Sequence, residues 1–195
     1  LPNCPEAVIG MLAAASLGAI WSSCSPDFGI NGIYDRLGQI SPKILITVNA
    51  YNYNGKEHQC LDKIREISQR ISSIESVFVA AFTETPMELQ GKEKPWEALL
   101  DTSAGPLDFA QLPFDHPLYI LYSSGTTGLP KSIVHGAGGP LLKHLTEHRY
   151  HADVQPGDRL FYFTTCRWMM CNWLSSWTGS GPTLISYDGD QPLPD

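Results

Sequence analysis

Apolar positions along the chain fall into two alternating rhythms. Ile30, Ile33, Tyr34, Leu37 and Ile40 recur at helical spacing, and Leu61, Ile64, Ile67 and Ile71 repeat it thirty residues later. Short apolar runs bounded by Pro, Gly and Ser separate such stretches and predict strands: "GAIWSS", "SPKILITV", "SVFVAAF", "PLYILY", "SIVHG", "RLFYFTT" and "PTLISYD". Three more helices are predicted. "PEAVIGMLAAASLG" opens with Pro5 in its first turn and Glu6 beside the positive dipole end; "PLLKHLTEHRYH" and "WMMCNWLSSW" follow later. Helix and strand in alternation predict an α/β fold, a mostly parallel sheet flanked by helices, with ligands at the carboxyl ends of the strands. Residues 83–116 break the rhythm. They carry prolines and acids around a short "PWEALL" helix and read as an irregular surface excursion.

Composition narrows the picture. Only 17% of residues are charged, which suggests that part of the surface is normally covered. The net charge of −7 and the scattered 13 basic residues argue against nucleic acid as a partner, because phosphate backbones need a clustered Lys/Arg face. The most apolar stretch, Ala7 to Trp21, is shorter than the roughly twenty residues that span a bilayer and has no basic flank. It predicts a buried helix, not a membrane span. Cys4, Cys24, Cys60, Cys166 and Cys171 form no CxxC pair, so thiols in a reducing compartment, the cytosol, are expected. The chain starts at Leu1 and ends in "QPLPD", which reads as a piece of a longer protein.

The densest chemistry lies in "LYSSGTTGLPKS", residues 121–132, directly after a predicted strand. Gly125 and Gly128 allow the backbone to approach an anion closely. Ser123, Ser124, Thr126 and Thr127 offer hydroxyl donors, and Lys131 a mobile positive charge. Together these suit a polyphosphate; the plain alternative is a Ser/Thr/Gly turn between strands. A P-loop is excluded by spacing, since Pro130 precedes the lysine where glycine is required and a strand follows in place of a helix. His135 is read as a strand-end histidine. His144, His148 and His151 share one helical face, yet Lys143, Glu147 and Arg149 around them predict a solvated helix, and no metal site is expected.

"YSSGTTGLPKSIVHG" resembles the phosphate-binding signature of the acyl-adenylate-forming, AMP-binding enzymes. "LPNCPEAVIGMLAAASLGAIWSSCSPDFG", "DRLGQISPKIL", "YNGKEH" and "FTTCRWMMCNWL" extend the resemblance over almost the whole chain, toward the acetoacetate-activating acyl-CoA synthetases of that family. The resemblance implies ATP, Mg²⁺ and CoA as cofactors and small molecules as partners. It makes Ser123, Ser124, Gly125, Thr126, Thr127, Gly128 and Lys131 the pyrophosphate clamp. Trp168, Met169 and Met170 then match positions that shape the acyl pocket, against the alternative of a core helix with aromatic anchors.

The resemblance also implies that residues 1–195 form part of a large N-terminal domain. The adenine-binding motifs and a C-terminal domain with its catalytic lysine would lie elsewhere. Arg167 stands where the pattern has glycine, Cys171 where it has tryptophan, and Pro182 enters a predicted strand, where it would remove a ladder donor. The competing expectation is therefore a truncated, diverged copy without catalysis, at most a weak nucleotide binder.

Overall fold

The computed structural model describes residues 1–100, 103, 105–123, 128–166 and 168–189. In chain order these form α1 (Pro5–Ser16), β1 (Trp21–Ser22), α2 (Ile30–Leu37), β2 (Ile44–Val48), β3 (Ala50–Tyr53), β4 (Lys56–Gln59), α3 (Leu61–Arg70), β5 (Ser76–Ala80), β6 (Glu93–Pro95), β7 (Pro117–Ser123), β8 (Lys131–Gly136), α4 (Gly138–Thr146), β9 (Arg159–Phe161), α5 (Met169–Ser175) and β10 (Thr183–Ile185). Two compact units emerge. The first comprises Leu1–Cys4, Pro26–Pro106 and the chain from Asp188; the second comprises Pro5–Ser25 and Leu107–Tyr187.

The first unit is built on a parallel sheet of order β2-β5-β6. Along α3 the 3.6-residue repeat puts Ile64 and Ile67 on one buried face, while Asp62 and Gln69 on the other side stay exposed. Val77, Val79 and Ile74 are buried in the same unit, and Val48, Tyr51, Cys60, Ala80 and Trp96 form a second core cluster. Trp96 begins a 3-10 turn, Trp96–Leu99, so the short helix expected inside residues 83–116 is present and holds its tryptophan in the core. A hairpin not expected from the apolar pattern joins β3 to β4. Asn54 and Gly55 both take left-handed dihedrals, with φ of 51° and 67°. That is the two-residue turn that Asn-Gly favours.

Buried polarity in this unit is matched. Asn49, 1% exposed, donates through Nδ2 to the carbonyls of Thr83 and Thr85, and its Oδ1 accepts the N–H groups of Phe82 and Thr83. Arg65 pairs with the buried carboxylate of Glu93 at 2.9 Å.

In the second unit β7 is central, parallel to β1 and antiparallel to β8. The connection between β7 and β8 is far shorter than the dozen or so residues that a parallel crossover needs, so the chain must turn straight back. β9 and β10 pair in parallel as a separate two-stranded sheet. The α/β architecture is therefore as expected, and most strand pairs are parallel. Among the described residues it consists of four small sheets in place of one continuous one.

Three local expectations need correction. α1 buries only Ala7 and Gly10, while Ile9 and Leu12 are exposed, because its apolar residues surround the helix and one side alone finds a partner. The histidine-bearing face is not solvated: His144 and His148 are buried, and only His151 is exposed. The rings of Trp173 and Trp177 lie 4.9 and 4.7 Å from that of His148 and cover it. Pro182 precedes β10 and so removes no ladder donor from it.

Candidate functional site

The site begins where β7 ends. Its register with β8 sets Tyr122 opposite Ser132 and Ser123 opposite Lys131, so the hydroxyl-rich loop closes a hairpin whose two rims are Ser123 and Lys131. Lys131 is exposed and takes part in no ion pair among the described residues. Gly128 has φ of 118°, a conformation that residues with a Cβ rarely adopt, and no described residue lies within 4 Å of where a Cβ would sit. Leu129 projects outward beside it, 64% exposed. Ser124, Gly125, Thr126 and Thr127 lie outside the described residues.

Farther back on the hairpin, His135 pairs across the strands with Tyr119, their rings 5.1 Å apart. Burial raises the Tyr119 phenol above its ordinary pKa. Both side chains brace the strands and stand away from the loop.

A serine pair links this hairpin to the next candidate segment. Ser22, in β1, donates its hydroxyl to the carbonyl of Ile120 at 2.9 Å and lies 3.0 Å from the Tyr122 hydroxyl. Ser23, the following residue, donates to the carbonyl of Cys166. One dipeptide thus ties the last residues of β7 to the start of the segment that carries Trp168, Met169 and Met170. The pattern of apolar runs marked "GAIWSS" as a strand and gave its hydroxyls no role. The signal was the Ser-Ser pair at the end of that strand.

Beyond Cys166 the backbone makes two successive tight turns. The Trp168 N–H donates to the Thr165 carbonyl at 3.0 Å, and the Cys171 N–H donates to the Trp168 carbonyl at 2.9 Å. Trp168 and Met169 are 57% and 55% exposed, and Met170 is half-buried. The aromatic anchors of this stretch are Trp173 and Trp177, with ring centroids 4.3 Å apart, so Trp168 and Met169 are not core residues here. Arg167 lies outside the described residues. Among the described residues no group of three or more His, Cys, Asp or Glu side chains could hold a metal ion, and no helix is long and apolar enough to cross a membrane.

Residues 1–195 match the family model of the AMP-binding enzymes. The chain is 50% identical, over its whole length, to acetoacetyl-coenzyme A synthetase of Rhizobium meliloti (strain 1021) and covers 30% of that protein. Acetoacetyl-CoA synthetase of Mus musculus is 45% identical, again over the whole chain and 30% of the relative. Malonamoyl-CoA synthetase vrtB of Penicillium aethiopicum is 48% identical over 96% of this chain and 27% of its own. Among solved structures, acetoacetyl-CoA synthetase from Streptomyces lividans superimposes with a TM-score of 0.90 at 44% identity, covering 97% of this chain and 29% of that one. The chain thus spans about 30% of the length of the curated relatives it matches.

Proposed function

The chain belongs to the AMP-binding enzyme family, and from that premise we propose that it is the phosphate-clamping part of an acid–thiol ligase that converts acetoacetate, ATP and CoA to acetoacetyl-CoA, AMP and pyrophosphate. The single observation that supports this reading is the Ser22–Ser23 bridge, which ties β7 and Cys166 to the same end of β1. In the proposed reaction a carboxylate oxygen attacks the α-phosphorus, the bond to the pyrophosphate oxygen breaks, and the acyl-AMP then yields its acyl group to the CoA thiol.

Residues of this chain take up the first half. Ser123, Ser124, Gly125, Thr126, Thr127 and Gly128 present hydroxyl and backbone N–H donors to the β- and γ-phosphates, and Lys131 adds a cation at the rim of the hairpin. Donors fixed around a leaving group stabilise the charge that builds on it. The donor set suits phosphate oxygens and holds no carboxylate for a hard cation. Mg²⁺ would therefore enter on the phosphates themselves, neutralising part of their charge. Trp168, Met169 and Met170 form one wall for the acyl group, with CoA arriving on the same side.

The substrate class follows from the chemistry shared by acetoacetate and malonamate. Both are short acids with a carbonyl β to the carboxylate, and they differ by a methyl against an amino group. Cysteines without a CxxC pair support a cytosolic reading, and the scattered basic residues support small molecules over nucleic acid as partners. Domain organisation on this reading is part of a large N-terminal AMP-binding domain over residues 1–195, with 83–116 at its surface.

Acetoacetate-dependent exchange between ATP and labelled pyrophosphate tests the proposal. Exchange that Lys131→Ala lowers by about 100-fold supports it. MgATP binding without exchange, restored to exchange by Arg167→Gly, would favour the diverged, silent copy. Absence of MgATP binding contradicts the ligase proposal.

A further inference from the structure

Five cysteines occur in the chain, and two of them meet: the Sγ atoms of Cys166 and Cys171 lie 3.5 Å apart. The contact is set by backbone geometry. The Trp168 N–H bonds the Thr165 carbonyl and the Cys171 N–H bonds the Trp168 carbonyl, which brings Cys171 back toward Cys166. The Cys166 carbonyl is fixed by Ser23, and the Cys171 carbonyl accepts the Ser175 hydroxyl at 2.8 Å. Both ends of the six-residue ring are thereby pinned. Reaching a disulfide bond length of ~2.05 Å requires an approach of about 1.5 Å, which side-chain torsions supply without breaking either turn.

Chemistry gives the two thiols different roles. Cys166 is 7% exposed, whereas Cys171 is only half-buried and faces an incoming reagent first. The neighbouring Cys166 sulfur holds the Cys171 thiol below its ordinary pKa, against the opposing effect of burial, so its thiolate fraction is raised. Cys4 and Cys60 are buried.

We propose that Cys166 and Cys171 form a reversible redox couple, a modification site whose disulfide closes the Trp168–Met170 segment into a ring. Low-molecular-weight disulfides such as glutathione disulfide are the co-reactant. The Cys171 thiolate attacks one sulfur of the reagent, forming a mixed disulfide and expelling a first thiol. Cys166 then loses its proton and attacks the Cys171 sulfur, expelling the second thiol. Two cysteine thiols are oxidised by two electrons, and one reagent disulfide is reduced to two thiols, which take up the two protons. Closure locks the backbone that presents Trp168 and Met169 to solvent, and reduction releases it. The inference depends on the sulfur geometry and stands whether or not the chain activates acetoacetate.

The sequence supplies its own assay, because Arg167 lies inside the ring and trypsin cuts after it. The full-length chain is titrated with glutathione disulfide, which oxidises thiols and leaves methionines intact, and its mass is read without reductant. The expected result is a loss of about 2 Da and a fall in titratable thiols from five to three. A digest then contains residues 160–167 joined to residues 168–195, and dithiothreitol separates them. Cys166→Ser should trap a stable adduct of about 305 Da on Cys171, while Cys171→Ser should leave Cys166 unreacted. A persistent glutathione adduct on the unmodified sequence, a disulfide involving Cys4, Cys24 or Cys60, or the same reactivity in both variants would overturn the proposal.

Discussion

The two units handle buried polarity in opposite ways. In the first, Asn49 sits at 1% exposure with its amide oxygen and nitrogen both engaged, and buried Glu93 is matched by Arg65. In the second, His148 is 2% exposed, and among the described residues neither of its ring nitrogens has a hydrogen-bond partner, nor do buried Thr165 Oγ1, Asn172 Nδ2 and Trp177 Nε1. Apolar surface divides the same way. Leu17, Leu107, Phe114, Val134, Leu142, Phe161 and Trp168 of the second unit are all exposed. Contiguous exposed apolar surface marks a place where something else packs. The first unit is a finished scaffold, and the second, which holds the proposed phosphate clamp, has a less completed core.

The largest expected effect breaks the scaffold. Asn49→Ala leaves the N–H groups of Phe82 and Thr83 without their acceptor, and should lower stability by roughly 3 kcal/mol in urea unfolding. A loss under about 1 kcal/mol would show that the network is ornamental and dissolve the contrast.

A comparable effect is expected in the second unit from pH. Burial, with a smaller push from His144 and an opposing pull from Glu147, lowers the His148 pKa from 6.5 to about 4. The folded state therefore binds fewer protons than the unfolded chain between these values. Stability is fully present above pH 6.5 and is lost as pH falls through about 4. The loss should approach ~3 kcal/mol, and His148→Phe should flatten the curve. Unchanged pH dependence in that variant would remove His148 from the account.

Smaller still is the serine bridge. Ser22→Ala removes hydrogen bonds to Ile120 and Tyr122 and should cost about 1 kcal/mol, read as a shift of the urea midpoint at constant slope. Its value lies in comparison with Asn49: a similar cost at both sites would make the two units equally well satisfied.

These contrasts were unevenly legible in the sequence. The 3.6-residue pattern located α2 and α3 because each buries one stripe, Ile33 and Leu37 in one and Ile64 and Ile67 in the other, and the two helices pack together. The β3–β4 hairpin escaped because β4 is exposed throughout and carries no apolar alternation; Asn54-Gly55 was its only signal. For His144 and His148, charges on the same helix suggested solvent, whereas Trp173 and Trp177, distant in sequence, decided the burial. Pro182 ceased to be a defect once the strand was seen to begin one residue later. At the site, the two strands flanking the loop were readable from their apolar runs, but their antiparallel pairing was not. Nor was the Ser22–Ser23 bridge, since it depends on a parallel pairing a hundred residues away.

Hydrogen exchange on the intact chain, with and without MgATP, tests the division of labour most directly. The account predicts slow exchange of β2 and β5 amides in either condition, with nucleotide-dependent protection confined to peptides covering residues 117–136. Protection centred on residues 26–106, or none at 117–136 under saturating nucleotide, would contradict it.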